Sequence, residues 1–418
     1  MMCPYKWQPV DMSVPVLFPE NYAFVDVFDA LMGRENTDME DLLQEVLGIH
    51  RSSFEAYPKH MGVLLFSNPV KDNFLQHAAL GHELGHFADR VHKVRDSISE
   101  TTLVAAQRII DADRDQLVDE FLEARLGKDT KARAKGSEDY ESVRLKLVAY
   151  LNDELQKLND SWQGEIIADV FAIRLLGPAA FFAIGQYLLM HLGPLRRAAL
   201  SSTTHPSVLL RLKVMIRELD DLLTDITFRD DARILAEAIE EWRELVTDLS
   251  AQAMPPSGRL DLSGTNWGRT QLEVGLADRI YAHLESTGVL QSMQDEIRQV
   301  ITRVGDVPGH RWLLPSSHDF DQLPYAIRML RLGVPPSEKP RDLKAKLLET
   351  ADVTAPCLSL ATILNTGWAY EFERWREPTS WSCPDDVIQF FQGRQERLDS
   401  VVKCAVEQSN LVRKTYGS

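Results

Sequence analysis

His82 and His86 stand four residues apart with Glu83 beside the first, inside His77-Ala78-Ala79-Leu80-Gly81-His82-Glu83-Leu84-Gly85-His86-Phe87-Ala88-Asp89. On a helix, side chains four apart lie nearly one above the other. The two imidazoles then share a face at a spacing that suits one zinc ion. Glu83 comes next round the helix and reaches a water held at that ion. Two ligands, one general base and one open coordination position form the arrangement used for metal-assisted peptide hydrolysis. The pattern therefore demands a helix here, and it demands further ligands from elsewhere in the chain.

A chain of 418 residues is long enough for more than one domain with a full core. Its formal net charge of −16 argues against nonspecific nucleic-acid binding and against attraction to anionic lipid, since both want a basic surface. Cys3, Cys357, Cys383 and Cys404 are far apart and form no C-x-x-C pair, so they read as reduced thiols of a cytoplasmic protein. Met1 to Val10 lacks a basic region followed by an apolar run, so no signal peptide is expected. Leu175 to Leu192 is apolar and nearly as long as a membrane span. It contains Gly177, Pro178, Gly185, Gln186 and His191, and it follows Asp169 and Arg174. A buried helix pair is the better expectation, because polar groups in lipid are costly.

The first 35 residues or so read as irregular, with Val14 to Phe18 as a possible edge strand. Thr37 to Leu47 has a capping-box start, with Thr37 as N-cap and Glu40 three residues on. Val63 to Phe66, bounded by Gly62 and Asn68-Pro69, suits a strand. Such a strand serves either as the edge that holds an extended peptide or as a plain core strand. Phe74 to about Arg95 is the motif helix, and Gly81 and Gly85 within it are expected to allow close approach of backbone and metal. Two amphipathic helices follow, one marked by Leu117, Val118, Phe121 and Leu122, the other by Val143, Leu147, Leu151 and Leu155. Beyond residue 221 helical patterns continue to Leu249. A Pro/Gly/Ser-rich stretch, Ala253 to Thr265, comes next. Helical stretches then resume at Leu272 to Val304, Leu323 to Leu332, Arg341 to Leu364 and Pro384 to Val412.

Two further elements bear on the metal. Glu165 and Asp169 are again four apart, in the apolar helix that opens at Gly164. Buried carboxylates are expensive unless paired or bound to a metal. An ion pair to Arg174 would answer for them, and so would a zinc site. His205 follows a polar run and precedes Pro206, at the mouth of a helix that contains Arg211.

His82-Glu83-x-x-His86, Glu165-x-x-x-Asp169 and His205-Pro206-x-x-x-x-Arg211, in that order, resemble the HtpX-like and CAAX-prenyl-protease-type zinc metallopeptidases of the gluzincin group. The resemblance covers roughly residues 60 to 215 and leaves out the membrane helices of the membrane-bound members. It implies a mainly α (α+β) fold: a gluzincin-type catalytic domain over residues 1–220, with a small edge sheet and the H-E-x-x-H helix, and a helical accessory or regulatory region over 221–418. It implies Zn²⁺ held by His82, His86 and Glu165. Glu83 would be the general base, Asp169 would orient a ligand histidine, His205 would steady the oxyanion, and Arg211 would pin the carboxylates.

A second metal pattern overlaps the first. His82-Glu83-x-x-His86-x-x-Asp89-x-x-His92 approaches the metzincin spacing, with His92 as third ligand and Met254 as a possible Met-turn. It requires the chain to turn at Asp89, where metzincins have glycine. Two function classes remain open. One is a zinc-dependent endopeptidase acting on protein or peptide substrates. The other is a latent or structural zinc protein whose 221–418 region binds a regulatory partner.

Overall fold

The computed structural model describes residues 23–26, 62–65, 73–97, 100–157, 162–190, 205–224, 226, 228, 230–253, 283, 285–305, 317–337, 358–376 and 398–409. The expected strand at Val14, the helix at Thr37 to Leu47, the linker after Ala253 and Met254 lie outside them. The chain divides into two compact units, Met1–Lys71 and Asp72–Ser418. In the first, β1 (Ala23–Asp26) pairs antiparallel with β2 (Gly62–Leu65), Ala23 facing Leu65 and Asp26 facing Gly62.

The second unit is mainly helical. A 3-10 turn, Gln76–Ala79, runs into α1 (Leu80–His92), followed by the short α2 (Val94–Ser97). Asn73 opens the turn, its Oδ1 accepting the Gln76 N–H at 3.2 Å. Then come α3 (Glu100–Leu126), α4 (Lys128–Ala134), α5 (Glu138–Lys157), α6 (Gln163–Leu176), α7 (Pro178–Met190) and α8 (Val208–Leu223). Further on are α9 (Arg233–Ala253), α10 (Val289–Gly305), α11 (Ser317–Asp321), α12 (Leu323–Arg331), α13 (Leu360–Arg376) and α14 (398–409).

Helix α6 is the centre of this unit. Of its residues, Ile166, Ile167, Ala168, Asp169, Val170, Ala172 and Ile173 are fully buried. Such a helix must be covered on every side. α1, α8, α10 and α13 all pack on it. One apolar core joins Ile166, Ile167 and Val170 to Leu117, Phe121 and Leu122 of α3 and Leu147 and Leu151 of α5. It also takes in Leu210 and Val214 of α8 and Ile297 and Ile301 of α10. Helices from both sides of residue 220 therefore share this core.

Of the apolar stretch 175–192, residues 175–190 are described and form the end of α6 and the mostly buried α7 rather than one long span. Gly177, at φ +63, makes the left-handed turn between α6 and α7. Asn365 of α13 clasps that turn: its Nδ2 donates to Leu176 O at 2.8 Å, and its Oδ1 accepts the Ala179 N–H at 2.8 Å. Phe181 and Phe182 of α7 pack with Trp242 of α9 and Trp368 and Phe372 of α13. Trp368 and Phe372 are thus core. Among the described residues no helix is long and apolar enough to cross a membrane.

Candidate metal centre

α1 and α6 cross at glycine. A Cβ on Gly85 would lie 2.5 Å from Ala168 Cα, and one on Gly81 would lie 3.3 Å from Ala172 Cβ. These glycines were expected to admit the metal. Instead they admit α6, because small residues at a crossing let two backbones approach. That approach sets Glu165, one turn before Ala168, opposite the histidines.

His82 Nε2 and His86 Nε2 are 3.1 Å apart. Glu165 Oε2 is 3.4 Å from His82 Nε2, and Glu165 Oε1 is 3.3 Å from His86 Nε2. Among the described residues these three form the group able to hold a metal ion. Donor atoms 2.0–2.2 Å from a tetrahedral zinc sit about 3.3–3.6 Å from one another; the two histidine–glutamate distances, each to a different glutamate oxygen, fall in that range and the histidine pair lies slightly closer. Glu165 Oε2 is buried and receives no hydrogen bond, although Arg211 Nη1 is 3.3 Å away. A buried carboxylate oxygen without a donor is costly, and a cation at the centre of the triangle would satisfy it. The donor set of two imidazoles and a carboxylate is the chemistry zinc takes at catalytic sites.

The surroundings fix the ligands. His82 Nδ1 lies 2.8 Å from Asp169 Oδ1, so the Nδ1–H donates there and Nε2 is left toward the centre. Arg211 binds the same carboxylate with two donors, Nε to Oδ2 and Nη2 to Oδ1, both at 2.8 Å. Asp169 and Arg211 are buried. Burial would raise the Asp169 carboxyl, but Arg211 and His82 hold it below its usual range. Burial likewise opposes ionisation of Glu165. The two imidazoles and Arg211 outweigh it and hold Glu165 well below the usual carboxylate range. Burial and the Arg211 charge push His82 down, yet Asp169 and Glu165 prevail and lift it to about 9.

Glu83 is 8 % exposed. Among the described residues no hydrogen bond or ion pair ties its carboxylate, though its charge helps to raise Arg211. His205 stands at the rim, its side chain 56 % exposed and its Nε2 3.6 Å from Glu165 Oε1. The helix after it begins at Val208, two residues past Pro206. Ser207 is the N-cap of α8, its Oγ accepting the Leu210 N–H at 3.2 Å. Arg174, a possible partner for Glu165 or Asp169, turns away and pairs with Glu218 and Asp221 of α8.

The chain does not turn at Asp89. α1 runs on through His92, and the left-handed residue is Lys93, at φ 51. Residue 92 lies on the same continuous helix, six residues and so about 120° of helix turn beyond His86. Asp89 has another task. Its Oδ1 accepts the Arg95 N–H at 2.7 Å and its Oδ2 accepts Arg95 Nη2 at 3.1 Å, which fixes the turn into α2. Arg95 went unread in the sequence because it reaches the site only across this turn. Its one local signal is Gly164, whose Cβ would lie 2.3 Å from Arg95 Nη2.

Compared with protein-family models, curated proteins and solved structures, the chain matches none.

Proposed function

We propose that the protein is a zinc-dependent endopeptidase acting on protein or peptide substrates, a relative of the HtpX-like gluzincins that works in the cytoplasm. The observation that supports it most is the grouping of His82, His86 and Glu165, whose ligand atoms lie close together, with a buried carboxylate oxygen that receives no hydrogen bond. Among the described residues the donor set stops at three. A structural site would fill all four positions, whereas a catalytic one keeps a position open.

His82, His86 and Glu165 would hold the ion, which when bound supplies a Lewis acid for the scissile carbonyl and for the attacking water. Glu83 takes a proton from that water and passes it to the leaving amine. Its carboxylate suits the task, being shielded from bulk water and committed to no other described residue. Asp169 keeps His82 in the Nδ1–H form, and Arg211 balances the Asp169 charge, so the ligand neither rotates nor changes tautomer. His205, at the exposed rim beside Glu165, donates to the carbonyl oxygen as that oxygen gains negative charge.

Residues 221–418 carry helices that pack on α6 and α8, and in this proposal they also offer the surface for a regulatory partner. The alternative, a latent or structural zinc protein, requires a fourth protein ligand. Metal analysis with activity decides between them. Purified protein should contain close to one zinc, and Glu83→Gln should keep it while losing hydrolysis of a broad peptide mixture. Equal digestion by wild type and Glu83→Gln overturns the assignment of the base. Absence of zinc after reconstitution overturns the site.

A further inference from the structure

The two ligand histidines are not supported alike. A histidine that binds metal through Nε2 carries its proton on Nδ1, and that N–H needs an acceptor. His82 has one in Asp169, at 2.8 Å. Among the described residues, His86 Nδ1 has none. The His86 side chain is a quarter exposed.

Next to that nitrogen lies Gly164. A Cβ there would sit 4.0 Å from His86 Nδ1 and 2.3 Å from Arg95 Nη2. Imidazole and guanidinium therefore flank one point at the start of α6, and any side chain at position 164 would push the guanidinium aside. Arg95 is held in place through Asp89, by its own N–H and by one bond from Nη2. Its remaining guanidinium hydrogens meet no acceptor among the described residues, and the side chain is 43 % exposed. Asp89 is buried beneath it and faces away from solvent.

We propose that Arg95 and the Nδ1–H of His86 form a carboxylate subsite beside the metal centre, which takes an acidic group of the peptide substrate. The subsite rests on the metallopeptidase assignment and adds a substrate preference to it. A guanidinium offers two parallel donors that match the two oxygens of a carboxylate. A second donor from a neighbouring ring fits an oxygen of the same group. The bound carboxylate does for His86 what Asp169 does for His82: it accepts the Nδ1–H and fixes the ring. The substrate thus completes the ligand support of its own site, and a peptide lacking the acidic group meets a looser His86. Arg95 is a specificity residue here and takes no part in bond breaking.

The test uses the full-length protein reconstituted with Co²⁺, whose visible spectrum reports a tetrahedral site and the arrival of a thiolate. Short ω-mercaptocarboxylates are titrated against their amides. Wild type should bind the acid roughly ten- to a hundredfold more tightly, as a charge-assisted contact implies. Arg95→Met should abolish the difference while leaving the cobalt spectrum and the affinity for the amide unchanged. Gly164→Ala keeps the Asp89 bond to the Arg95 backbone but displaces the guanidinium, and it should show the same loss if Arg95→Met proves unstable. Equal binding of acid and amide by wild type, or an undiminished preference in both variants, overturns the subsite and leaves the metal centre standing. Failure of cobalt to enter overturns the metal centre and the subsite together. Thiol dipeptides with either an acidic side chain or a free C-terminus then show which carboxylate is preferred.

Discussion

Gly85→Ala should separate α1 from α6 and disable the proposed metal centre, although alanine is the better helix former. The two effects oppose one another and can be weighed. Replacing glycine by alanine within a helix contributes about 1 kcal/mol of stability. Against this, the new methyl would lie 2.5 Å from Ala168 Cα, 2.9 Å from Ala168 O and 3.1 Å from Ala168 C. All three are backbone atoms and cannot rotate away. Restoring ordinary contact moves the helices apart by on the order of 1 Å, and overpacking of this kind costs about 1–3 kcal/mol or more. The net change is a loss of roughly 0–2 kcal/mol. The functional loss is larger, because Glu165 travels with Ala168 and metal–ligand bonds tolerate only about 0.2 Å. Gly81→Ala is the internal control. Its methyl would meet Ala172 Cβ and Leu176 Cδ1 at 3.3 Å and Ala172 Cα at 3.4 Å, a mild crowding that a shift of a few tenths of an ångström relieves. It should be neutral or stabilising and should keep its zinc. Thermal unfolding and zinc content, measured on both variants beside wild type, decide the matter. A Gly85→Ala protein that melts higher than wild type and retains full zinc would refute the close crossing of α1 and α6.

Asp169→Asn should unfold more easily by about 3–5 kcal/mol in denaturant titration, because it leaves the buried Arg211 without its carboxylate; a loss below about 1 kcal/mol would show that the pair is not buried. In the metal-free protein His82 holds its proton up to about 9, raised from 6.5. Its contribution to metal-free stability is therefore present below pH 6.5 and fades as pH rises through about 9. Zinc must displace that proton, so affinity should climb with pH and level off near 9; pH-independent affinity by competitive chelator titration would contradict the raised value. Asn365→Ala should cost about 2–3 kcal/mol through two orphaned backbone groups at the α6–α7 turn. Hydrogen exchange at Ala179 should quicken with it, and unchanged protection there would argue against the clasp.

Several features followed from sequence alone because they depend on local periodicity. Four-residue spacing placed His82 with His86 and Glu165 with Asp169 on helix faces. The strongly apolar surroundings of Asp169 marked it as a carboxylate that needed a partner. The glycine and proline at 177 and 178 broke the apolar run into two helices rather than a membrane span. Which partner Asp169 takes was not legible from spacing, since Arg174 and Arg211 are both within reach along the chain; only the family resemblance named Arg211. Only the packing of α8 on α6 brings Arg211 to it and sends Arg174 to Glu218.

The sequence determined the donor types and the helices that carry them, because side-chain chemistry and the 3.6-residue repeat are properties of short segments. Tertiary structure decided how those donors meet. Gly85 against Ala168 sets the gap between α1 and α6, and so the size of the triangle. The turn at Lys93 carries Arg95 back over Gly164, where it stands beside His86. Contacts of this kind depend on the distance between two backbones far apart in the chain, and no local pattern records that distance.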